Sequence, residues 1–380
     1  MPCILLVAGE ASGDLHGANL ARALQGLNPQ VTLVGVGGHQ MRAAGVQLVP
    51  DMKRVDAVGA PGPAHLWNGM LNFVKMRHLL RHEAFDAVVF IDNPGMNLRL
   101  ARIAARAGHR VIYYIAPQVW AWGWRRVRLM KQVIKHLIVI LPFEEEIFRT
   151  VGLSCKFVGH PLLDTLTPQY DKTRLRKELG LPQQELVLGL LPGSRESEVR
   201  ALLPYMWEAV CRVRKAYPAL HCVVSRAPSI SETLVAELMK SSSQDTKTGV
   251  TVVGHRSNEV IAAADFLLVA SGTATLQAAL IGTPMLITYR LPWLTYQIAK
   301  RLATVDHIGL VNLVAGQRIV PELLQYEATV ERLSEETVRW LRDETARTHM
   351  KQAFCFVRQR MGTPGASKRA AEIILAECRT

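Results

Sequence analysis

The sequence predicts an α/β protein built from two doubly wound parallel sheets. Three observations carry that expectation. Short, continuous apolar runs alternate with longer stretches of helical period. The alternation restarts near residue 166, so it describes two similar halves. And 380 residues, 49% hydrophobic and 20% charged, suit two domains with real cores rather than a disordered chain.

In the first half, Ile4–Ala8 is an apolar run ending at Gly9, as a strand covered on both faces would be. Leu15–Leu27 has helical period. Val31–Val36, Ala87–Ile91, Val111–Ile115 and Leu137–Leu141 read as further strands, and Phe157–Gly159 ends the series. Tyr170–Leu181 is a charged helical linker. The second half repeats the pattern with strands at Leu186–Leu191, His221–Val224, Val250–Val253, Phe266–Val269 and Met285–Thr288. From Ser334 to Thr380 the chain reads as helical. The expected domains are therefore 1–165 and 166–344, with helices of about 345–380 returning to the first.

Composition narrows the function. Lys and Arg number 45 against 32 Asp and Glu, a formal charge of +13, which favours phosphate-bearing partners. From Ala57 to Phe143 twelve basic residues face only Glu83, Asp86 and Asp92, so most of the excess sits in the first half. No nucleic-acid-binding module accompanies that charge, so nucleic acid is not the expected partner. Six scattered cysteines without a CxxC pair predict reduced thiols rather than a disulfide frame or zinc ribbon. Met1–Gly9 lacks a basic n-region and is read as no signal peptide. No apolar run is long enough to span a bilayer.

Several turns can carry chemistry. Leu191-Pro192-Gly193-Ser194-Arg195 follows a strand and opens a helix. Gly193 allows close backbone approach, Ser194 can cap the helix, and Arg195 stands where an anion binds. The plainer alternative is a simple turn whose Arg195 pairs with nearby glutamates. Ser271-Gly272-Thr273 is a second phosphate-type turn, or a cap without ligand. Two such turns in one domain suggest a nucleoside diphosphate. The chain has neither GxxxxGK[ST] nor GxGxxG, which argues against P-loop NTPases and dehydrogenases. Asp92, at the end of a strand, can act as general base or merely cap the next turn. Glu10, Ser12 and Asp14 form a small-residue turn suited to sugar hydroxyls or to capping. No D-x-D pair and no histidine spacing for metal occurs, so no metal or cofactor is expected.

Two segments suit a lipid surface. Trp67–His82 mixes Trp67, Met70 and Phe73 with Lys75, Arg77 and Arg81. Trp120, Trp122 and Trp124 adjoin Arg125, Arg126 and Arg128. The alternative for both is a core-facing helix with a solvated basic face.

Together these stretches resemble the lipid-A-disaccharide synthase family. The resemblance rests on Val7–Asp14, Pro117–Trp122, Leu141–Glu144, Val158-Gly159-His160-Pro161-Leu162, Leu191–Arg195, Ser271–Ala274, Asn312-Leu313 and Pro321–Gln325, in family order. It implies a GT-B fold of two Rossmann-like domains and metal-independent, inverting glycosyl transfer. The implied donor is UDP-2,3-diacylglucosamine and the implied acceptor is 2,3-diacylglucosamine 1-phosphate. It implies Asp92 as base, places Arg195 and Asn312 among the residues that matter for activity, and brings His160 into the acceptor or sugar contacts. The donor would lie against Gly193, Ser194, Arg195, Ser271, Gly272, Thr273 and Gln277. The protein is then expected in the cytoplasm, on the anionic inner-membrane surface; a homodimer is allowed. The chain departs from the family at Gly95, where a second Asp is usual, at Gln277, where Glu is usual, and at Val58–Pro63. A UDP-sugar epimerase, another transferase with a soluble substrate, and a non-catalytic lipid-binding protein are the alternatives.

Overall fold

The computed structural model describes all residues except 10, 51, 53–62, 120–122, 168, 241–248, 292–306 and 380; side chains of 11, 63–69, 125 and 379 are also outside the description. The chain forms two units, Met1–Asp164 with Met361–Thr380, and Thr165–Arg360. Of the stretch 345–380 expected in the first domain, only the part from Met361 belongs there. Helical period shows that a helix packs, not against which sheet.

The first unit runs β1 (Cys3–Ala8), α1 (Ala11–Leu27), β2 (Thr32–Val36), α2 (His39–Ala43), β3 (Gln47–Leu48), α3 (Pro63–His82), β4 (Ala87–Ile91), α4 (Pro94–Arg106), β5 (Val111–Tyr114), α5 (Arg125–Val133), β6 (His136–Val139), α6 (Glu144–Thr150) and β7 (Cys155–Phe157), with α7 (Leu162–Thr165) at the boundary. Its sheet is parallel, in the order β3-β2-β1-β4-β5-β6-β7. Ile4–Ala8 and Ala87–Ile91 are buried throughout, as strands covered on both faces must be.

The second unit runs α8 (Lys172–Glu178), β8 (Val187–Leu191), α9 (Glu196–Ala216), β9 (His221–Arg226), α10 (Glu232–Leu238), β10 (Val250–Gly254), α11 (Ser257–Ala263), β11 (Phe266–Ala270), α12 (Thr273–Ile281), β12 (Met285–Tyr289), α13 (Leu310–Ala315), β13 (Glu322–Leu324), α14 (Val330–Arg342) and α15 (Glu344–Arg360). Its parallel sheet has the order β10-β9-β8-β11-β12-β13. At the base of this sheet Asp265 gathers Lys172, Arg176 and the Val187 amide within 2.7 Å, fixing the linker helix α8 to the strand edge. The last helix, α16 (Ala366–Arg379), packs on α1 of the first unit. Asp164 accepts from the Gly365 amide at 2.5 Å at its start.

Candidate active site

In each sheet the strand order reverses between two neighbours, β1 and β4 in one, β8 and β11 in the other. Ligands of open α/β sheets bind outside the carboxyl ends of strands at such a switch point. The registers Ala8↔Ile91 and Leu191↔Val269 put four turns there. They are the turns after β1 and β4, and those after β8 and β11.

In the first unit, Asp92 directly follows β4. Asp92 and Asn93 both take left-handed backbone angles, φ +51° and +45°. Asp and Asn tolerate that region better than other side chains, but two in succession need support. The support is visible. The Asp92 amide donates to Tyr114 O at 3.1 Å. The Asp92 carbonyl accepts from Asn97 Nδ2 at 2.8 Å and from the Tyr113 hydroxyl at 2.6 Å. Asn97 also donates to Ile91 O at 3.1 Å and is fully buried. Burial, reinforced by the Asp92 charge, pushes the Tyr113 pKa well up, so the phenol stays a donor. Asn97 and Tyr113 were not singled out from sequence. Their signal was there: Asn97 sits on the first turn of the helix that Asp92-Asn93 opens.

The turn after β1 divides the expected sugar contacts. Ser12 is exposed in the first turn of α1. Glu10 lies outside the described residues. Asp14 takes the capping alternative: it is wholly buried, and its carboxylate accepts from the amides of Gly38 (2.7 Å), Gln40 (3.2 Å) and Met41 (3.1 Å). There it serves the start of α2. His160 is buried at the end of the β7 segment, where its Nδ1 accepts from the Leu162 amide at 3.1 Å. Burial, then the neighbouring His16, holds its pKa down at about 3. His16, two residues beyond Asp14 and missed from sequence, is pushed by burial to about 4. Both imidazoles are neutral near pH 7, so any contact His160 makes is by hydrogen bond rather than charge.

In the second unit, Arg195, not Ser194, is the residue before α9, and Glu198 closes the cap. Glu198 Oε2 accepts from the amides of Ser194 and Arg195, each at 3.3 Å, and its Oε1 pairs with Arg195 Nη1 at 3.2 Å. The plainer expectation for Arg195, pairing with a glutamate, is thus what the turn shows. The pair is exposed on the Arg side, so it is weak and exchangeable. Gly193 and Gly272 take φ of +118° and +151°, angles that L side chains avoid, and among the described residues nothing lies within 4 Å of where a Gly272 Cβ would point. Thr273 is exposed at the first position of α12, while Ser271 Oγ donates to Ile308 O at 3.0 Å. Gln277, one turn further along, donates to Asn258 at 3.2 Å.

Asn312, expected to matter for activity, has a clear structural role. It is fully buried on α13 with all its side-chain valences engaged. Nδ2 donates to Val320 O (2.9 Å) and Glu322 Oε1 (2.7 Å), and Oδ1 accepts from the amides of Ile319 (2.9 Å) and Val320 (3.0 Å). It holds the backbone between α13 and β13.

The expected lipid-facing segments are partly described. On α3, Asn72, Met76 and Leu80 are buried at helical spacing. Yet Met70, Leu71 and Val74 are 64, 44 and 55% exposed on the same helix, beside exposed Lys75, Arg77 and Arg81, with Phe73 half-buried. Trp124 is 43% exposed and Arg126 is exposed next to it. Trp120 and Trp122 lie outside the described residues, as do the side chains of Trp67 and Arg125. Among the described residues no helix is long and apolar enough to cross a membrane.

Known proteins match this chain along its length. The family model for lipid-A-disaccharide synthetase matches residues 4–376. The lipid-A-disaccharide synthase of Geobacter sulfurreducens is 39% identical over 373 residues, covering 98% of this chain and 96% of the relative. That of Myxococcus xanthus is 39% identical over 377 residues, covering 98% and 97%. Among solved structures, a UDP-GlcNAc 2-epimerase from Neisseria meningitidis bound to UDP-GlcNAc aligns with a TM-score of 0.68 at 13% identity, covering 98% of this chain and all of the other. The glycotransferase of kitacinnamycin aligns with a TM-score of 0.63 at 16% identity, covering 99% of each chain. The fold is therefore GT-B, and the chain belongs to the lipid-A-disaccharide synthase family, among the glycosyltransferases of lipid A biosynthesis.

Proposed function

We propose that the chain transfers 2,3-diacylglucosamine from UDP-2,3-diacylglucosamine to the 6-hydroxyl of 2,3-diacylglucosamine 1-phosphate. The products are the β-1,6-linked disaccharide 1-phosphate and UDP. The observation that carries this reading is the placement of Asp92. Its left-handed turn, held by Asn97 and Tyr113, sets a carboxylate at the switch point of the first sheet. Asp92 takes the proton of the acceptor hydroxyl as that oxygen forms its bond to the anomeric carbon. The bond from that carbon to the UDP oxygen breaks on the opposite face, and charge grows on the diphosphate. Arg195 leaves its exposed pair with Glu198 to meet that charge, together with the amides at the start of α12. Ser12 and His160 serve the acceptor by hydrogen bonds, and Gln277 serves the donor's ribose. The UDP-GlcNAc held by the Neisseria structure supports a UDP-sugar in this fold.

Both substrates carry acyl chains, which suits work at the cytoplasmic face of the inner membrane. The exposed Met70, Leu71 and Val74 among lysine and arginine support that location. A homodimer fits this reading as well as a monomer does.

UDP release is the test, measured with each substrate alone and with both. Release that needs both supports synthase chemistry, and release from the donor alone would point to hydrolysis or epimerisation. Asp92→Asn is expected to abolish turnover and leave UDP affinity near normal. An active Asp92→Asn enzyme removes the base assignment.

A further inference from the structure

Glu322 opens β13, a three-residue strand at the edge of the second sheet, and is buried. A buried carboxylate is costly unless donors surround it. Among the described residues its donors are N–H groups. Oε1 accepts from Gly309 N at 3.1 Å and Asn312 Nδ2 at 2.7 Å, and Oε2 accepts from Ile308 N at 3.2 Å. The fit is close: a Cβ on Gly309 would lie 2.9 Å from Oε1. Ile308 is thus held from both sides. Its amide is bound to Glu322, and its carbonyl accepts the Ser271 hydroxyl at 3.0 Å. Ser271 begins the turn that opens α12.

We propose that Glu322 is a positioning residue for the donor's diphosphate: by fixing Ile308 it holds Ser271, and through Ser271 it sets the Ser271–Thr273 turn. Asn312 completes the device by tying Glu322 to the backbone at Ile319 and Val320. The proposal rests on the reading of that turn as the diphosphate site.

The test uses the full-length protein and UDP as the probe, by calorimetry well below the melting temperature of each variant. Glu322→Gln puts an amide NH₂ among groups that are all donors, so Ile308 has to shift. UDP affinity is expected to fall about tenfold, with donor KM rising in step and kcat changing less. Glu322→Asp keeps the charge, draws the carboxylate back by one methylene, and covers the case in which the Gln variant does not fold. Ser271→Ala combined with Glu322→Gln should bind UDP no more than about threefold worse than the weaker single variant, because both cut the same chain of contacts. A folded Glu322 variant that binds UDP like wild type, or a double variant whose losses multiply in full, overturns the proposal. Failure of the donor reading looks different: wild type itself would not bind UDP, and the proposal would fall with it.

Discussion

Arg195→Ala separates catalysis from architecture, and the structure sets the expected size of its effect. The Arg195 side chain is 57% exposed, and its ion pair with Glu198, at 3.2 Å, is of the exposed kind. Such a pair contributes about 0.2–1 kcal/mol, so releasing the guanidinium to a phosphate costs at most a factor of about five. Removing a charged donor from a developing charge costs far more, about 10²–10³ in kcat. Arg195→Ala should therefore lose about 10²–10³ in the rate of UDP release while its melting temperature stays within about 2 °C of wild type, the expectation for an exposed side chain. The variant has a second defect that can be measured. Glu198 remains bonded to the amides of Ser194 and Arg195, now without the Arg195 guanidinium beside it. Its charge and an incoming phosphate would repel by about 1–2 kcal/mol at an exposed turn. Adding Glu198→Gln keeps an acceptor for the amides and removes the charge. The double variant should thus regain about tenfold over Arg195→Ala alone. An Arg195→Ala enzyme within about threefold of wild type in kcat, or a double variant no faster than the single, would refute the reasoning.

Three further outcomes are expected. Asp14→Ala leaves three amides at the start of α2 without their carboxylate, and should cost about 3 kcal/mol, read as a melting temperature lower by roughly 6–12 °C. His160 is kept neutral in the fold down to about pH 3, whereas the ordinary histidine value is 6.5. Below the ordinary value the unfolded chain binds a proton that the folded chain refuses, so stability falls as pH drops from there toward 3, by up to about 1.4 kcal/mol per pH unit. Urea midpoints of wild type near pH 7 and pH 5 should show that loss, and His160→Gln should reduce it. Replacing Met70 and Val74 by Ser should weaken sedimentation with anionic vesicles, leave activity toward detergent-dispersed substrates nearly intact, and make the remaining binding fully salt-sensitive. Unchanged vesicle binding would remove α3 from the membrane face.

What the sequence revealed follows from what packing demands. Ile4–Ala8, Ala87–Ile91, Leu186–Leu191 and Phe266–Val269 were legible because a strand covered on both faces must be apolar at every position. The edge strands β3 and β13 have two and three residues with polar members, so no pattern announces them. With β13 missed, Glu322 was seen only as part of a resemblance and not as the anchor of Ile308. The assignment of α15 to the wrong unit had a remedy in the sequence. Gly362-Thr363-Pro364-Gly365 breaks the helical tail, and the chain leaves the second unit at Arg360, just before that break.

The two kinds of role share one sequence signature. A polar residue in a glycine-rich turn after a strand can face a ligand or hold the backbone that faces it, and its residue type does not distinguish the two. Asp92, Arg195 and Asp14 had the first reading open to them, Asn312 had it only through the family resemblance, and burial divides the four. Asp14 and Asn312 are fully enclosed and bonded to backbone amides of other segments. Asp92 is half-buried and Arg195 exposed, each at the carboxyl end of a strand beside a switch point. The loss of activity that follows substitution therefore has two forms. At Asp92 and Arg195 kcat should fall with the melting curve in place, since on the proposed mechanism what is removed is a group that meets substrate. At Asp14 and Asn312 activity and melting temperature should fall together, and lowering the assay temperature should restore part of the activity. A chain in which Asn312→Ala loses activity at unchanged stability would move Asn312 from the second class to the first, and would mean that the α13–β13 network opens toward the donor when it binds.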